Sequence, residues 1–131
     1  MSMRDAYYSV AVLAAIAICS GCAKPDHVDH VESPTAGLFF TVETRYGRGA
    51  MSPDVTRVYA HLEANGKSDR QLVLDGEYLE KTKIIWLSSS QVTLCIPDGF
   101  TDSFRTYVTL RAGAMSETIR SHLQEHCNTG S

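Results

Sequence analysis

From residue 38 onward, apolar and polar side chains alternate with a period of two, and this pattern limits the fold more than any other feature. Leu38, Phe40, Val42, Thr44 and Tyr46 fall on one side of an extended segment, with Phe39, Thr41, Glu43 and Arg45 on the other. Successive side chains of a strand point to opposite faces, so this is the pattern of a strand with one face buried. A second strand is expected over 55–64, with Val58, Ala60 and Leu62 on one face. Asn65-Gly66 then predicts a tight hairpin, because both positions tolerate positive φ, and a third strand follows over 70–74. Residues 83–87 (Lys-Ile-Ile-Trp-Leu) are apolar on both sides, which predicts a central strand covered on both faces. Val92, Leu94 and Ile96 share a side opposite Cys95. After a Pro97-Asp98-Gly99 turn, Phe104, Thr106, Val108 and Leu110 alternate against Arg105, Tyr107 and Arg111 in a last strand.

Gly113 is expected to end the strands. Ser116 suits an N-cap and Glu117 suits the positive end of a helix over 116–127. Met115, Ile119, Leu123 and Cys127 fall at four-residue spacing and would form its apolar stripe. The expected fold class is therefore α+β, a mainly antiparallel sheet of five to six strands with one C-terminal helix. On that helix His122 and His126 would share a face, and His122-Leu123-Gln124-Glu125-His126 matches the inverted zinc-protease motif. That chemistry uses both imidazoles as ligands and the glutamate as general base. A third ligand normally lies well downstream, yet only five residues follow His126. His122 and His126 are the chain's metal candidates, and the expectation is that no metal or other cofactor is bound.

Ahead of the alternating region stands a ten-residue apolar run, 10–19, preceded by Arg4 and followed by Ser20-Gly21-Cys22. Ten residues have the length of a secretory signal core. As a helix they span only about 15 Å, half of the ~30 Å hydrocarbon thickness that a transmembrane segment must cross. Cys19-Ser20-Gly21-Cys22 resembles the lipobox of bacterial lipoproteins, with Cys19 standing where leucine is usual. The resemblance covers about the first 24 residues. It implies cleavage before Cys22, acylation of that cysteine and attachment to membrane lipid. Ala23, where inner-membrane lipoproteins typically carry Asp, implies an outer-membrane anchor facing the periplasm. The expected organisation is a signal over 1–21, a lipidated cysteine and flexible tether over 22–36, and a small domain over 37–131. The tether is polar, holds two prolines and lacks a hydrophobic period. Its fourteen residues after Cys22 would reach at most about 50 Å.

Cleavage leaves 110 residues, enough for one domain. The formal charge is −3 and no basic block is present, which excludes nucleic acid as an expected partner. Of the four cysteines, Cys19 would leave with the signal and Cys22 would take lipid. In an oxidising envelope compartment, Cys95 and Cys127 are then expected to form one structural disulfide.

No G-x-S-x-G elbow and no phosphate-binding glycine loop occurs in the sequence. The turn over 97–105 is the remaining candidate surface, with Phe100 and Arg105 as the pair that would contact a partner. The expected function is that of a non-enzymatic envelope lipoprotein that binds another envelope protein or stabilises an assembly. An inhibitor or ligand-binding module acting on an envelope hydrolase is the alternative, and a zinc enzyme built on residues 122–126 comes third.

Overall fold

The computed structural model describes residues 24–127. The segment expected as a signal, residues 1–21, and Cys22 lie outside the described residues. What is described contains strands and no helix: β1 (His27–Glu32), β2 (Leu38–Arg45), β3 (Val55–Ala64), β4 (Lys67–Glu77), β5 (Lys83–Trp86), β6 (Gln91–Cys95), β7 (Phe100–Phe104), β8 (Tyr107–Ala112) and β9 (Met115–Gln124). They build a larger sheet in the order β1-β2-β3-β4-β7 and a smaller one in the order β5-β6-β9-β8. The architecture is all-β, and the expected α+β class with its C-terminal helix is corrected.

The error has a definite physical source. Met115, Ile119 and Leu123 are four apart, and four is both nearly one helical turn and two periods of a strand. The intervening inward positions hold Glu117 and Ser121, and Ser121 is buried. Polar residues at those two places conceal a plain alternation. Gly113 does not end the strands but turns a hairpin: Ala112 pairs with Met115, and Gly113 has φ 62° while Ala114 keeps negative φ. A glycine with positive φ at the first of two loop positions is the type II′ arrangement that matches the twist of paired strands. The β3–β4 hairpin turns as expected through Asn65 (φ 54°) and Gly66 (φ 74°), with Ala64 opposite Lys67.

Three further expectations are corrected. Residues 83–87 do not form a central strand; β5 is an edge strand paired only with β6, and Ile85 is 45% exposed. The strand expected over 104–111 is two strands in different sheets, β7 and β8, with the chain crossing between them at Arg105 and Thr106. The segment expected as a tether contains β1, which pairs antiparallel with β2 along its whole length. It is an edge strand of polar composition, with His27, Asp29, His30 and Glu32 along it, the charged character that keeps an exposed edge from recruiting further strands.

Between the sheets lies one apolar layer. Leu38, Phe40 and Val42 of β2 and Val58, Ala60 and Leu62 of β3 meet Val92 and Leu94 of β6, Val108 and Leu110 of β8 and Ile119 of β9. The Phe40 ring meets Trp86 of the opposite sheet edge-on, with centroids 5.2 Å apart. A register shift between Val58 and Tyr59 leaves one extra residue on β4. Val73 and Leu74 are consequently both buried, and the Val73 carbonyl accepts the Arg105 N–H at 2.9 Å. β6 and β9 run parallel, and the chain beyond β9 folds back so that Cys127 bonds Cys95, with Cα atoms 5.5 Å apart. The expected disulfide is present.

Phe40→Ala removes the largest fully buried side chain and its contact with Trp86. It is expected to destabilise the domain by about 3–5 kcal/mol, measured as a lowered denaturant midpoint with the disulfide intact. A loss under about 1 kcal/mol would mean that the two sheets are not locked at this point.

Candidate functional site

Alternation places Phe39, Thr41 and Glu43 of β2 on the outer face of the larger sheet. The register sets Phe39 beside His61, Thr41 beside Tyr59, Glu43 beside Arg57 and His61 beside Arg70, while His30 of β1 lies beside Thr41. Neighbouring strands are about 4.7–4.9 Å apart, which is also a favourable spacing for stacked rings. His30 stacks on Phe39 with centroids 4.3 Å apart, and Phe39 on His61 at 4.6 Å, with planes only 5° apart in the second pair. Arg70 continues the row by lying over the Tyr59 ring at 4.1 Å.

Hydrogen bonds fix the two outer rings of the row: His30 Nε2 lies 2.6 Å from Glu32 Oε1, and a chain through Thr41 holds His61. The Thr41 hydroxyl lies 3.2 Å from Glu43 Oε2 and 2.7 Å from His61 Nε2. A carboxylate only accepts, so the single hydroxyl proton goes to Glu43, and His61 Nε2–H must donate to Thr41 Oγ1. The neutral Nε2–H tautomer follows, with Nδ1 unprotonated. Glu43 also pairs with the Arg70 guanidinium at 3.5 Å. Burial, first, and the positive charges of Arg70 and His30 lower the His61 pKa to about 4, so the imidazole stays neutral through the physiological range.

Along the same face, towards the start of β1, the outer side chains enclose a hollow of about 220 Å³ walled by Glu43, Arg45, Arg57, Tyr59 and Arg70, with Pro25 at its rim. Arg57 reaches Asp75 through Nε at 3.7 Å. The strand irregularity at Val58/Tyr59 lies within this wall, where a bulge re-aims neighbouring side chains. Three guanidinium groups line the hollow, Arg70 paired with Glu43 and Arg57 with Asp75, and such a cluster suits recognition of an acidic group by charge-assisted hydrogen bonds.

The residues singled out by sequence fall elsewhere. Phe100 opens β7 and is 67% exposed, close to Tyr78 at a second hollow of about 420 Å³ beside the disulfide. Arg105 follows the other end of β7, and its side chain donates to Gln71 at 3.3 Å. Five residue steps of extended chain put them about 16 Å apart, at opposite ends of β7. His122 is on β9 opposite Thr93, while His126 lies past the strand at φ 54° and donates from Nδ1 to Asp98 at 2.7 Å. The helix that would have brought the two imidazoles together does not exist. Among the described residues no group of three or more His, Cys, Asp or Glu is placed to hold a metal. Sequence reasoning passed over Phe39, Tyr59, His61 and Arg70. The available signal was the presence of two aromatics at positions that alternation assigns to the solvent side.

The lowered pKa has a stability consequence. The unfolded chain takes up a proton at His61 near pH 6.5, and the native state resists until about pH 4. Stability is therefore unaffected by this group above pH 6.5 and falls as the pH drops from 6.5 towards 4. The imidazole resonance is expected to titrate near pH 4, and His61→Gln to flatten that part of the stability profile. A midpoint near 6.5 would contradict the burial and charge environment described.

No protein-family model matches this chain, and no curated protein and no solved structure is significantly similar to it.

Proposed function

We propose that this chain is a membrane-anchored envelope lipoprotein without catalytic activity. It is acylated at Cys22 and sits on the periplasmic side of the outer membrane, where it binds another envelope protein through the outer face of its larger sheet. The anchoring half of the proposal is supported by the short apolar run over 10–19 and the small residues leading into Cys22. Acyl chains on one cysteine and its new amine make such attachment effectively stable.

The observation that carries the binding half is the stacked row His30–Phe39–His61, with His61 held by Thr41 and Glu43 and His30 by Glu32. Rings already held in place lose little conformational entropy when a partner covers them. An antiparallel sheet needs no such order on a face that meets only water, where flexible charged side chains suffice. The arginine hollow beside the row adds a place for an acidic side chain of the partner.

The test is photocrosslinking in intact cells from a benzophenone amino acid placed at His30, with Thr109 on the outer face of the smaller sheet as the comparison position. A discrete adduct is expected from position 30 and not from 109, and Phe39→Ala is expected to abolish it. Adducts from 109 alone, or none from 30, would contradict the assignment of this face.

A further inference from the structure

We infer that the loop joining β2 to β3, residues 46–54, together with Lys24, rests on the surface of the membrane that anchors the chain and takes up anionic phospholipid headgroups there. This rests on acylation of Cys22 as proposed above and goes further by orienting the folded body.

The first observation is how short the free chain is. β1 is paired along its length, and ahead of it the Asp26 N–H donates to the Thr44 carbonyl at 2.9 Å. Pro25 is already part of the wall of the arginine hollow. Only three residue steps separate Cys22 from Pro25, and they span at most about 11 Å. A lipidated Cys22 lies at the headgroups, so the end of the sandwich that holds Pro25 is kept within that distance of them. A fourteen-residue tether would leave the orientation free; three steps do not.

The second observation is what that end presents. The 46–54 loop leaves the sheet there and is tied to the start of the domain. The Tyr46 N–H donates to Asp26 at 2.8 Å, Arg48 pairs with Asp26 at 3.5 Å, and the Gly47 N–H donates to Asp54 at 2.8 Å. Outward it shows Met51, 95% exposed, with Tyr46 and Arg48 beside it in the loop. An apolar tip, an amphipathic ring and a guanidinium on an apolar stem are the three elements that settle at a bilayer interface.

Charge gives the tilt. Lys24, Arg45 and Arg48 gather at this corner of a chain whose net charge is −3. The nearby carboxylates of Asp26 and Asp54 are engaged by the loop backbone and Arg48. Asp98 and Glu125 lie at the far corner of the same end, beside the disulfide and across Glu77 from the loop. A negatively charged membrane surface attracts the first corner and repels the second, which tilts this end so that the 46–54 loop is the part that meets the headgroups. Tethering raises the local concentration of headgroups around the loop, so a contact too weak to bind alone is populated. Phe39 and its ring row lie about 20 Å along β2 from Arg45, clear of the bilayer and open to a partner.

The test uses the full acylated protein in vesicles of phosphatidylcholine with phosphatidylglycerol, part of the lipid being brominated. Tryptophan is introduced as Met51→Trp, or as Ser68→Trp at the opposite end of the sandwich, and the signal of native Trp86 is subtracted. The Met51→Trp emission is expected to shift to the blue and to be mostly quenched, and that of Ser68→Trp to do neither. Adding Arg48→Glu is expected to reduce the quenching, as is omitting phosphatidylglycerol. Equal quenching at both positions, none at position 51, or full quenching without anionic lipid would each overturn the inference. The intact mass of each sample separates the two levels of the argument. Acylated protein with an unquenched probe at 51 refutes the contact alone, whereas unacylated protein refutes the anchoring and the contact with it.

Discussion

Two sheets closing over one apolar layer is the constraint on which everything else in this molecule depends. Phe40 on β2 meets Trp86 on β5 across that layer, and β8 packs its Val108 and Leu110 beneath β3 and β4. Neither sheet could remain folded alone, since each would leave a full row of Val, Leu and Ile in water. The interior is closed at one end by Leu79, fully buried after Tyr78 takes φ 59° to turn the chain inward. The disulfide then fixes the chain end beyond β9 to the end of β6. A closed loop of about 33 residues stabilises by roughly 3–4 kcal/mol in the chain-entropy model, a useful supplement for a domain of this size.

The same closure decides where the chemistry can lie. With the inner faces consumed by packing, recognition is left to the outer faces, the edges and the loops. On the outer face of the larger sheet the ring row is set by strand register, with His61 held by the Thr41–Glu43 chain and His30 by Glu32. Pairing of β1 matters in a different way. It contributes His30 to that row and shortens the free chain ahead of the domain, so that one structural fact shapes both the proposed partner surface and the proposed orientation on the membrane.

Much of the strand pattern was legible in the sequence. Val55–Ala64 forms the strand that the alternation predicts, and Asn65-Gly66 makes the hairpin that its φ tolerance predicts. What was not legible had specific causes. A spacing of four could not separate helix from strand for Met115, Ile119 and Leu123. An edge strand such as β1 needs few apolar residues, so its polar composition resembled a linker. Lys83–Trp86 looked buried on both faces, although only Ile84 and Trp86 pack on the core while Ile85 faces outward. The ring row escaped notice because it is assembled from three strands by register, and no local spacing in the sequence records which residues register brings together. The disulfide was legible because elimination of the other cysteines left one pair.

The most direct test of the account is the intact mass of the protein extracted from membranes, alkylated before and after reduction. The expected result is the mass of residues 22–131 plus acyl chains, with no alkylatable thiol until the disulfide is reduced and two afterwards. An unacylated chain would contradict the proposed anchor and the orientation derived from it, and thiols that react without reductant would contradict the bond that closes the end of the sandwich.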